Sequence, residues 1–201
     1  DTTIGGTLSV AEDVTMSEDL SVAGNAMIQG TLSVTEDVTM SEDLSVGGNA
    51  MIEGTLSVNS DVTVDGDLSV SGNVQIDGNL SITGDLALDD LVVQDTISAG
   101  GDTTIGGTLS VAEDVTMDED LSVGGNVMVE GTLSVNSDLT VDGDLSVSGN
   151  AQIEGNLNVT GDLSLDDLVV QDTISAGGDT TIGGTLSVAE DVTMDEDLSV
   201  G

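Results

Sequence analysis

Carboxylates are the only ionisable side chains in this sequence, and they come in tight groups: Ala11-Glu12-Asp13, Ser17-Glu18-Asp19, Asp65-Gly66-Asp67 and Asp118-Glu119-Asp120. Hard oxygens at this spacing suit calcium, which takes about 6–8 oxygen ligands. Glu12, Asp13, Glu18, Asp19, Asp65, Asp67, Asp118, Glu119 and Asp120 are therefore the candidate metal ligands, and calcium is the one candidate cofactor. Neither the helix-flanked calcium loop nor the glycine-rich nonapeptide calcium repeat is present. The same groups also read as a solvated acidic surface with diffuse counterions.

Other chemistry lacks its partners. A serine nucleophile needs a base, usually His or Lys, and the chain has neither. Paired carboxylates could cleave a glycoside, but no aromatic residue is present to stack a sugar and no insertion is present to form a pocket. No enzyme is expected, and no catalytic or cofactor-binding residue stands out. With 39 acids, no Lys or Arg and a net charge of −39, the chain is repelled by nucleic acid and by anionic membranes. No apolar run reaches the ~18 residues of a membrane helix, so no membrane insertion is expected.

The elements that carry these acids are short. Leu68 to Asp85 reads LSVSGN VQIDGN LSITGD. Each six-residue unit has an apolar, a polar and an apolar residue, then three turn residues. The first triplet has the period of a strand with one buried face. The second has corner chemistry, with Gly permitting positive φ and Asn tolerating the left-handed region. Short strands joined by corners make a flat-sided coil, so the fold class is an all-β β-helix or β-solenoid. The phase runs through the whole chain, 1–201, as one continuous array of 34 units. Units at 86–90 and 163–167 are one residue short, and every Asp, Glu and Gly falls in a corner.

Composition agrees. Phe, Trp, Tyr, Pro and Cys are all absent. Lack of aromatics fits a core one or two side chains thick, and lack of Cys removes disulfides and thiolate metal sites. Strict alternation argues against the disorder that extreme charge can otherwise bring. The N-terminus DTTIGGTLSV has no leader pattern. Solenoids normally have capped ends, and the lack of caps reads as a window on a longer fibre.

The array contains internal copies. Leu8–Gln29 recurs at Leu32–Glu53, and DTTIGGTLSVAEDVTM occurs at Asp1, Asp102 and Asp179. In a three-sided coil of one chain, a shift of four units moves later units to another side. In three intertwined chains, successive units are equivalent. The copies therefore favour an intertwined homotrimer. In Leu86–Thr108 and Leu163–Thr185 the inward positions include Ala99 and Thr103. These layers are expected to be held less strongly, whether as tolerated weak spots or as joints. Outward strand positions such as Ser9, Thr15 and Ser21 are interrupted by Met27, Gln75 and Ala87, so no regular ice-binding face is expected.

At LSVSGN VQIDGN LSITGD and at LSVNSD LTVDGD LSVSGN (Leu133–Asn150), the sequence resembles the repetitive shafts of viral tail fibres, with bacterial adhesin stalks looking alike. The resemblance covers the whole chain. It implies a trimeric, rigid, extracellular spacer on a virion or cell surface, with a receptor-binding tip outside these residues and fibre or baseplate proteins as partners. The acidity suits a saline or calcium-containing medium outside a cell. The alternative is a single-chain β-solenoid of a secreted adhesin or surface filament, stiffened by calcium.

Overall fold

The computed structural model describes residues 1–201. It contains 34 strands of three residues each, from β1 (Thr2–Ile4), β2 (Leu8–Val10), β3 (Val14–Met16) and β4 (Leu20–Val22) to β34 (Leu198–Val200), and no helix. Successive strands occupy three different walls. The fourth returns to the first wall and pairs with β1 in parallel: Thr2 opposes Leu20, Thr3 opposes Ser21 and Ile4 opposes Val22. Repetition of this step builds three parallel sheets of 12, 11 and 11 strands. The molecule is a three-sided β-solenoid of about 11 turns, roughly 50 Å long at ~4.8 Å per layer.

All of these ladders close within one chain. Strand n bonds to strand n+3 of the same polypeptide; of 137 backbone–backbone hydrogen bonds, 62 lie within the strands and the other 75 involve the corners. The structure therefore does not take the intertwined three-chain form favoured above. A single chain satisfies every interior strand edge by itself, so no edge is left for a second chain to enter. The internal copies then rotate from wall to wall. Met27 lies on β5 (Ala26–Ile28) of the second sheet, and its copy Met51 lies on β9 (Ala50–Ile52) of the third. Rotation is tolerated because all three walls bury the same residue types.

Register is kept even where a unit is short. Beyond β15 (Leu86–Leu88), a two-residue corner, Asp89–Asp90, leads into β16 (Leu91–Val93). Leu91 still opposes Val74, and Thr103 still opposes Leu86. The lost residue comes from the corner, so no side chain changes face.

Away from the end turns the first and third residues of each strand point inward, and 54 of them form one core cluster. Thr103 and Thr180 are the only buried polar residues. The layers expected to be weak are partly refilled. Met117 sits in register with Ala99, and Met194 with Ala176. The long thioether fills the space that alanine leaves. Thr103 Oγ1 donates to Met117 Sδ at 3.5 Å, and Thr180 Oγ1 to Met194 Sδ at 3.4 Å, so each buried hydroxyl has a partner.

The corners use glycine for a reason other than the one expected. No residue, glycine included, has positive φ. Glycine is needed instead because successive turns approach each other closely.

Candidate functional site: the corner columns

The residue immediately before every strand is Asp, Asn or Thr. At twenty of the Asp and Asn positions, but not at Asp1, Asn25, Asn73 or Asn150, Oδ1 reaches up one turn and accepts the backbone N–H of the residue in the equivalent corner position. Thr31 N–H donates to Asp13 at 2.9 Å, Thr55 N–H to Asp37 at 2.8 Å, and Asp67 N–H to Asn49 at 3.0 Å. Corner amides that lack a strand partner are satisfied this way.

Glycine completes the clasp. In the upper turn, the residue just before the donating N–H sits directly over the accepting Oδ1. An ideal Cβ on Gly30, Gly54 or Gly131 would fall against Oδ1 of Asp13, Asp37 or Asp114, inside any real contact distance. With glycine in that position the bonds measure 2.7–3.1 Å. With Glu, Asp or Ser there, they measure 3.0–3.4 Å. A side chain in that position holds the two turns slightly apart. At Asn25, beneath Glu42, the backbone bond is absent. Its Nδ2 donates to Asp43 Oδ2 at 3.3 Å, and its Oδ1 is buried without a partner.

The donors shift the carboxylates. Asp13, Asp114 and Asp167 are held below the ordinary value of 3.8 because a threonine N–H, then its hydroxyl, donates to each. Asp120 is lowered chiefly by the Ser137 hydroxyl, then by Asp138 N–H. Glu18 is lowered by its ion pair with the N-terminal amine.

The candidate ligands fall on two of the three edges. Glu12–Asp13, Asp65–Asp67 and Asp118–Asp120 share the edge between the second and third sheets, but successive groups are three turns apart, about 14 Å. Glu18–Asp19 lies on the next edge. Asp19, Asp67 and Asp120 each spend Oδ1 on a corner amide, at 3.1, 3.0 and 3.0 Å. Asp67 Oδ2 accepts Asn49 Nδ2 at 3.1 Å, and Asp118 accepts Asn136 Nδ2 at 3.1 Å. No group of three or more acidic side chains converges as a cage for a metal ion. Asp67, Asp85, Asp102, Asp120 and Asp138 instead form one continuous stack, each accepting from the next. Close spacing of acids in the sequence suggested ligand sets. In the structure it builds ladders.

What the columns do is mechanical: they lock turn to turn along the edges of a rod. A family model described as polymer-forming cytoskeletal, the bactofilins, matches residues 2–103. No curated protein and no solved structure matches the chain. The match overturns two expectations. A cytoskeletal polymer works within the cell, so the extracellular location falls. With it fall the viral tail-fibre shaft and the adhesin alternative, because short β-repeats with Gly-Asn corners serve unrelated rods equally well. The matched residues cover half of the sequence, and the chain belongs to the bactofilin family.

Proposed function

We propose that this chain is a non-catalytic structural unit that polymerises into a cytoskeletal filament by stacking solenoid on solenoid. The family match over residues 2–103 carries this reading. The geometry agrees with it. Inward-type residues in the last turns, Val192, Leu198 and Val200, are more than 40 % exposed. A copy of the solenoid stacked on this turn would cover them. Each added layer also supplies three short ladders and up to three Asx clasps. The whole array acts as one rod, with single chains joining end to end rather than three chains winding together.

The charge sets the conditions. A net charge of −39 on a rod of ~50 Å repels its copies at low ionic strength, and the ~8 Å screening length of physiological salt relieves that repulsion. Sedimentation and electron microscopy across concentration and salt test the proposal. Filaments one solenoid wide, longer at higher salt, are expected. A species that stays monomeric under every condition overturns it.

A further inference from the structure

Two corners share one local sequence and differ in structure. Val58-Asn59-Ser60-Asp61 and Val135-Asn136-Ser137-Asp138 are internal copies, 77 residues apart. Both asparagines are exposed at the first corner position, after β10 (Leu56–Val58) and β23 (Leu133–Val135). In both, the N–H of the following serine makes no backbone hydrogen bond. An exposed Asn followed by a small residue with a free amide meets two requirements of intramolecular deamidation.

The turn beneath distinguishes them. Below Asn136 lies Asp118, whose Oδ1 accepts Asn136 Nδ2 at 3.1 Å. Below Asn59 the equivalent residue is Ser41, and the Asn59 carboxamide has no partner. The residue two further on is also held differently. Asp138 N–H reaches Asp120 Oδ1 at 3.0 Å, whereas Asp61 N–H reaches Asp43 Oδ1 at 3.3 Å. Asp118 adds one more negative charge beside Asn136, which disfavours ionisation of the attacking amide.

We propose that Asn59 is a site of spontaneous deamidation and that Asp118 protects its copy, Asn136. The Ser60 nitrogen gives its proton to solvent and attacks Asn59 Cγ. The Cγ–Nδ2 bond breaks and ammonia leaves. Water then opens the cyclic imide at either carbonyl, leaving Asp or isoaspartate at position 59. No oxidant or cofactor is required. The product carries one more negative charge. The isoaspartate form adds a backbone carbon to a corner whose Asp61 clasps Asn79 through N–H and Nδ2, at 2.8 and 3.1 Å. A long-lived rod would thus age first at this turn.

The full chain is incubated at neutral pH and 37 °C for weeks, folded and in urea, then cleaved before aspartates and mapped by mass spectrometry. Residues 50–52 (Ala-Met-Ile) and 127–129 (Val-Met-Val) distinguish the two peptides. Folded protein is expected to lose Asn59 about fivefold faster than Asn136, the factor set by one net hydrogen bond. In urea the two rates should be equal. Asp118→Ser should speed loss of Asn136, and Ser41→Asp should slow loss of Asn59. Equal rates in folded protein, no loss at Asn59, or no response to either substitution overturns the proposal.

Discussion

Two corners of the same solenoid show what a glycine contributes when it is not needed for backbone freedom. At Asp114 the upper turn carries Gly131, and Thr132 donates its N–H at 2.8 Å and its hydroxyl at 3.0 Å. At Asp102 the upper turn carries Glu119, and the single bond from Asp120 N–H stretches to 3.4 Å. Neither corner uses positive φ. The corners differ by the Cβ of Glu119 and by the hydroxyl that Thr132 brings and Asp120 lacks. The solenoid tolerates open clasps because the inward Leu, Val and Ile hold each layer whether or not its corners are locked.

The largest effect should come from forcing a closed clasp open. Gly131→Ala places a methyl group on Asp114 Oδ1 and on the Glu113 backbone, an overpacking that costs about 1–3 kcal/mol. Because solenoid stability is held layer by layer, native-state amide exchange at Thr132 reads this better than a global melting point. Faster exchange confined to neighbouring turns is expected. Unchanged exchange at Thr132 would show that the turns separate without cost.

Next comes removal of the acceptor. Asp114→Ala loses two donors' worth of hydrogen bonding, about 1–2 kcal/mol, and Asp102→Ala should lose clearly less. Equal losses in urea-dependent exchange would erase the distinction between the two corners.

Acid should act on the closed clasp in the same direction. The Asp114 carboxyl is held below its ordinary value of 3.8 by the Thr132 donors. Its contribution is therefore full above that value and fades as pH falls through the lower folded value. Local stability at Thr132 should drop below about pH 4 in the native chain. In Asp114→Ala this local drop should disappear. An unchanged acid slope at Thr132 in the variant would assign the effect to other carboxylates.

The smallest effect is a gain. Glu119→Gly should shorten the Asp102 bond towards the range seen beneath glycine, while glycine entropy costs about 0.5–1 kcal/mol. The two nearly cancel, so stability should change little while exchange at Asp120 slows. A faster exchange there would contradict the steric account.

Much of this was legible in the residues. The alternation of Leu68-Ser69-Val70 and its copies fixed strand length, inward faces and corner positions, because period-two burial admits one phase. The short units at 86–90 and 163–167 could be counted directly. The Asx clasp was also open to counting. Asp13 and Gly30, or Asp61 and Gly78, stand 17 residues apart, but that spacing has meaning only once a turn is known to be 18 residues. Glycine was therefore misread as a left-handed corner residue. The placement of the acidic groups was hidden for a related reason: Asp65–Asp67 and Asp118–Asp120 share an edge but sit three turns apart.

The sequence by itself determined the repeat, the charge, the absence of His, Lys and Arg and the solenoid class, since these follow from residue type and local period. The tertiary structure decided that the ladders close within one chain. Strand pairing at n+3 within one chain, or between three chains, buries the same faces, and no local pattern separates them. It also decided which glycines are indispensable, because close approach between turns is a property of stacked layers and not of any single corner.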